Sequence, residues 1–176
     1  MKFRSYFASL NVGLLGTALL ATSAVSIYAL PSSRPPIPPT RLTTTPSPQE
    51  VGQAVYRQIN QYRHQQGLPL LQLDAQISQQ ALAHSQAMAS GRVPLGHHGF
   101  QQRIQAIGKT MPYSRAGENV ASTIAGATPD RQAIQSWLSN PNHLKKMIGP
   151  FDTTGIGVAR NDQGQYYFTE IFIKRR

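Results

Sequence analysis

A chain of 176 residues carries 17 Lys and Arg against 7 Asp and Glu, a formal charge of +10, with no cysteine and 13 prolines. That length suits one domain with a real hydrophobic core. Without cysteine there is no disulfide framework, thiolate metal site, thiol nucleophile or lipid attachment through an N-terminal Cys. A surface so short of acids favours anionic partners, whether nucleic acid, membrane or an acidic wall polymer, and composition does not choose among them.

In chain order, Lys2 and Arg4 precede an uncharged stretch from Ser5 to Ser33 whose centre holds Leu10, Val12, Leu14, Leu15, Leu19 and Leu20. A basic start followed by an apolar run reads as an export segment over residues 1–29. It is either cleaved, after Ser26 or Ala29, or kept as a membrane anchor, since about 20 apolar residues span a bilayer. Residues 30–48 follow as a linker, with seven prolines between Pro31 and Pro48 and neither helical nor strand periodicity. Such a segment is an extended spacer. Removing residues 1–29 takes away only Lys2 and Arg4, so the exported part stays strongly basic, and export removes nucleic acid as the natural partner.

The globular region is predicted over residues 49–176. Val51, Val55, Ile59 and Tyr62 share one face of a helix predicted over 49–66, which Gly67 ends. Asp74 is placed to cap a second helix carrying Ile77, Ala81, Leu82, Ser85, Met88 and Ala89, stopped by Gly91. A short helix is predicted over Phe100–Ile107. Another follows Thr128 as cap and Pro129 at its first position, with Ile134, Trp137 and Leu138 inward, and Pro141 restarts a short helix bearing His143. Thr153–Arg160, a turn at residues 161–164 and Gln165–Ile173 read as a β-hairpin. Helices first and a strand pair last predict the α+β class.

Five histidines differ in meaning. His64 falls on a polar helix face, and His84 borders the apolar stripe of the second helix as a half-buried core residue. His97 and His98 form a doublet in a glycine-flanked loop where packing does not call for imidazoles, and His143 sits in the first turn after Pro141. Glu118 lies in AGENVA, where a carboxylate either caps backbone amides or serves a site. Two imidazoles and a carboxylate from separate loops form a donor set suited to zinc with water completing the shell. No H-E-x-x-H, G-x-S-x-G or phosphate-binding glycine loop accompanies them.

The succession ALAHSQAMA (81–89), H-x-G-F-x-x-R (97–103), AGENVA (116–121), WLSNPNHLKKMI (137–148), GIGVA (155–159) and YYFTEIF (166–172) resembles the bacterial branch of the CAP superfamily. That superfamily contains the cysteine-rich secretory, antigen-five and plant pathogenesis-related proteins. The resemblance covers residues 49–176 and implies an α-β-α sandwich and secretion. It further implies a cleft lined by two histidines and two glutamates able to hold a divalent cation. By motif, His97 corresponds to the first histidine and Glu118 to the glutamate of G-E-N. The second glutamate is missing, because Leu138, Ser139 and Asn140 follow Trp137. The second histidine is missing too, with Phe151, Asp152 and Thr153 in its neighbourhood, and His143 is expected to take its place.

The expectation is therefore an exported envelope protein whose cleft of His97, Glu118 and His143 binds a divalent cation, zinc above others. Asp152 is the only further carboxylate in view. The favoured function is a binding module for an anionic envelope polymer or a lipid-like ligand, touching membrane only through its N-terminal segment. The alternatives are a metal-dependent hydrolase with Glu118 as base and a structural envelope protein with a vestigial cleft.

Overall fold

The computed structural model describes residues 45–124, 126 and 128–176. The predicted export segment 1–29, and residues 30–44 of the predicted linker, lie outside the described residues. The chain runs α1 (Pro48–Gln65), β1 (Gln72–Leu73), α2 (Ala75–Ala89), α3 (Phe100–Gly108), β2 (Tyr113–Thr123), α4 (Pro129–Ser139), α5 (Pro141–Met147), β3 (Thr153–Arg160) and β4 (Tyr166–Arg175).

Local chemistry fixes the helix ends. Ser47 and Glu50 form a reciprocal capping box, each satisfying the other's backbone N–H, so α1 begins at Pro48, one residue before the predicted start. Asp74 accepts from the Ile77 N–H at 2.9 Å and starts α2 as predicted. Thr128 stands at the cap position of α4, but its side chain makes no capping bond, and the helix start rests on Pro129 instead.

The hairpin of β3 and β4 is present, and the helices-then-hairpin order is corrected by two further strands. β1 pairs in parallel with Thr153 and Thr154, and β2 pairs antiparallel along the length of β4. The four-stranded sheet has the order β1-β3-β4-β2, which leaves β2 at one edge.

Helices cover both faces, giving the α-β-α sandwich. On one side Ile77 and Ala81 of α2 and Ile104 and Ile107 of α3 pack on Ile171 and Ile173. On the other, Val51, Val55 and Ile59 of α1, Ala133 and Trp137 of α4 and Met147 of α5 close over Phe168 and Phe172. Trp137 is fully buried, edge-on to Phe168 at 6.5 Å, and its indole N–H donates to the Val120 carbonyl at 3.2 Å. Such an aromatic contributes by area, by ring geometry and by a satisfied polar tip.

Two features hold the layers in register. Gly157 lets α2 lie directly on β3, because a Cβ there would collide with the Leu82 nitrogen. Arg63, at the end of α1 and 1 % exposed, donates to the carbonyls of Pro69, Met147, Gly149 and Phe151. A buried guanidinium is tolerable only when its donors are filled this way. It fixes the turn after α5, and that turn forms one wall of the candidate site.

Candidate functional site

A cleft of about 750 Å³ opens beside the edge strand β2, between the His97 loop and the segment from Asn140 to Phe151. His97 comes to it from the α2–α3 loop and His143 from α5, with Arg115, Ala116 and Gly117 of β2 as floor.

The loop carrying His97 is held at three points. His84, 5 % exposed, donates from Nε2 to the Gly96 carbonyl at 2.8 Å, so the core histidine read from the sequence also fixes the loop. Gly99 takes a left-handed backbone at φ 74° to start α3, a conformation open to glycine at little cost. Arg103, one turn into α3, donates from Nη1 to the His98 carbonyl at 2.7 Å. The H-x-G-F-x-x-R motif is thus a closed structural unit.

Glu118 lies on β2, not in a loop as expected, and its side chain is 1 % exposed. Its Oε2 accepts from Arg103 Nε at 3.0 Å and Nη2 at 2.6 Å, and its Oε1 accepts from His97 Nδ1 at 2.9 Å. A carboxylate paired with a guanidinium only accepts, so His97 donates from Nδ1, and Nε2 is the ring nitrogen that Glu118 does not engage. The His97 ring itself is half exposed.

His143 reaches the same cleft from the opposite layer and bonds to neither His97 nor Glu118. Asn140 caps α5 by accepting from the Asn142 N–H at 2.9 Å, and the Asn119 amide donates to the His143 carbonyl at 3.1 Å. The His143 Nδ1 is buried without a hydrogen-bond partner. Burial, then the Lys146 cation and His97, hold this imidazole below the ordinary histidine pKa. It is neutral at pH 7.

The remaining walls carry cations. Arg115, Lys145 and Lys146 line the cleft, and no Asp or Glu among the described residues does. Burial holds the Lys146 ammonium below the ordinary lysine pKa, with Glu118 opposing the effect. The edge of β2 adds a backbone donor. Trp137 bonds to the outward-facing Val120 carbonyl, so Ala116, an even number of residues away, also turns its peptide groups off the sheet and toward the cleft.

Glu118 is not placed as a direct ligand in the zinc set expected of it with His97 and His143. Both Glu118 oxygens are engaged, a guanidinium stands against the carboxylate, and three cations line the approach. Among the described residues no three His, Asp or Glu side chains are grouped to hold a metal ion. Asp152 is committed elsewhere, to Lys174 at 3.0 Å and Arg175 at 3.3 Å. Sequence reasoning missed Arg103 as the partner of Glu118, although it closes the quoted motif. It also missed the cluster of Arg115, Lys145 and Lys146, whose members lie on two distant segments.

The model of the family described as "Cysteine-rich secretory protein family" (CAP) matches residues 56–172. The protein YkwD of Bacillus subtilis (strain 168) is 29% identical over 142 residues, covering 74% of this chain and 51% of that protein. The chain thus spans about half the length of this curated relative. Among solved structures, an extracellular protein containing an SCP domain from Bacillus anthracis str. Ames is 28% identical with a TM-score of 0.60, over 72% of this chain and 41% of that one. An outer surface protein from Borrelia burgdorferi is similar in fold, with a TM-score of 0.63 at 21% identity over 74% of this chain and 97% of its own.

Proposed function

The chain belongs to the cysteine-rich secretory protein (CAP) family, in its bacterial form, and we propose that it is an exported module that binds an anionic polymer of the cell envelope in the β2-edge cleft. The observation that carries this reading is the charge of the lining: Arg115, Lys145 and Lys146 with no acid among them. A concave site of one sign focuses its field and raises the local concentration of the opposite charge. Phosphate or carboxylate groups spaced along a polymer suit lysines on one wall with an arginine and a backbone N–H on the β2 floor. Export is supported by the N-terminal pattern of the sequence and by relatives described as extracellular or outer surface proteins.

In this reading the buried Glu118–Arg103 pair is a strut. It sets the position of His97, and Glu118 itself stays behind the cleft wall. His143 supplies pH dependence: its folded pKa is held down, a bound anion favours its protonated form, and affinity therefore rises as pH falls through the mildly acidic range.

Co-sedimentation tests the proposal, using isolated Gram-positive cell walls before and after extraction of their phosphate-bearing polymer. Binding should fall on extraction and weaken steeply between low and high salt. Equal sedimentation with both wall preparations at both ionic strengths would contradict it.

A further inference from the structure

The opposite edge of the sheet holds a second feature. β1 occupies the position beside β3 for two residues only, pairing Gln72 with Thr153 and Leu73 with Thr154, and then the chain turns into α2. Beyond it, next to residues 156–160, the position is vacant among the described residues and forms a groove of about 960 Å³ between α1 and α2.

The hydrogen-bond parity of the hairpin shows what this edge offers. The Asn161 N–H bonds to the Gln165 carbonyl at 2.9 Å, so the odd residues of β3 exchange bonds with β4 and the even ones turn theirs outward. The Asp74 N–H bonding to the Thr154 carbonyl at 2.9 Å confirms the parity on the β1 side. Of the outward groups that follow, the Ile156 N–H is taken by Ser78 Oγ at 3.3 Å. The Ile156 carbonyl, both peptide groups of Val158 and the Arg160 N–H have no bond from any side chain or loop among the described residues.

The edge is nonetheless recessed, with Val158 5 % and Ala159 8 % exposed. Recess excludes a second copy of this chain pairing edge to edge, because the flanking helices of both copies would collide before the strands met. A single strand fits: the stretch from Ile156 to Arg160 spans about 14 Å at 3.4 Å per residue, the length of a five-residue strand. The walls set its chemistry. Leu73 and Leu82 are exposed into the groove, Gln53 and Gln79 flank them, and Arg160 is the only charge among the described lining residues.

We propose that this vacant strand position is a docking slot for an extended polypeptide segment, uncharged along its middle and with apolar side chains at alternate positions, which completes the sheet beside β3. Main-chain bonds to Ile156, Val158 and Arg160 supply affinity, and contacts with Leu73 and Leu82 select the side chains. The slot is separate from the β2-edge cleft, so the two occupants do not compete.

The test uses the full chain and a phage-displayed library of random dodecapeptides. The Val158 and Arg160 amides should exchange quickly with deuterium in the free protein. Selected peptides should alternate apolar and polar residues, slow exchange of both amides, and bind at least about tenfold more weakly to Leu82→Lys, a substitution at an exposed position that leaves the core intact. The proposal is overturned if the Val158 amide is already protected in the free chain, or if selection yields no peptide above an unrelated-protein background. It is equally overturned if selected peptides leave Val158 exchange unchanged. Laurate entering the groove while no peptide protects Val158 would instead assign the slot to an acyl chain.

Discussion

Replacing Arg103 by Met isolates the strut behind the cleft. Glu118 is 1 % exposed, and both bonds to its Oε2, at 2.6 and 3.0 Å, come from this one guanidinium. Removing Arg103 breaks a buried pair and leaves Glu118 with only the His97 bond to Oε1, a loss of about 3–5 kcal/mol. The lost bond to the His98 carbonyl adds about 1 kcal/mol. At roughly 3 °C per kcal/mol for a domain of this size, Arg103→Met should melt about 12–18 °C below wild type. Urea unfolding with an unchanged m-value measures the free energy. The pair Arg103→Met with Glu118→Leu should recover most of the loss, because an apolar pair of similar volume carries no desolvation penalty. A cost below about 1 kcal/mol for Arg103→Met, or a double variant whose losses simply add, would refute the reasoning.

Gly157→Ala should cost about 3 kcal/mol or more, since its Cβ would collide with the Leu82 nitrogen and α2 must shift; a loss under about 1 kcal/mol in urea unfolding would count against the close approach. Complete burial pushes the Glu170 carboxyl up to about 8 from an ordinary 4.5, so the folded state holds a proton that the unfolded chain releases between those values. Its stabilising share is present below pH 4.5 and lost as pH rises through 8. Wild type minus Glu170→Gln should therefore decline by up to about 1.4 kcal/mol per pH unit across that window, and a pH-independent difference would contradict the assignment. Calorimetric titration with zinc should show no saturable binding to the wild type, and saturable binding abolished by His97→Ala would reinstate the metal site.

The helices were legible because each carries an apolar stripe at 3.6-residue spacing, with Asp74, Gly67 and Pro129 marking ends. The hairpin was legible through its turn and alternation. β2 was not. Its segment YSRAGENVAST is buried on both faces from Glu118 to Ala121, so it lacks alternation, and Gly117, Glu118 and Asn119 are poor strand formers held there by partners that no local pattern shows. β1 is too short for any pattern. The candidate residues were found by type and motif, and His97 and Glu118 do meet. What one sequence could not show is that Glu118 spends its second oxygen on Arg103, which turns a candidate metal ligand into a strut. The cationic lining escaped notice for a similar reason: Arg115 and the Lys145-Lys146 pair are ordinary surface residues until β2 and α5 bring them to one cleft.

Isothermal titration with a short poly(glycerol phosphate) oligomer at low salt, on three proteins, bears most directly on the central claim. The wild type should bind, and Lys145→Ala combined with Lys146→Ala should weaken binding by at least about tenfold. Arg57→Ala combined with Arg131→Ala, which removes the same charge from exposed positions on α1 and α4 outside the cleft lining, should change it by less than about threefold. Equal losses in the two double variants would mean that net charge and not the cleft holds the ligand, and no binding by the wild type would contradict the account outright.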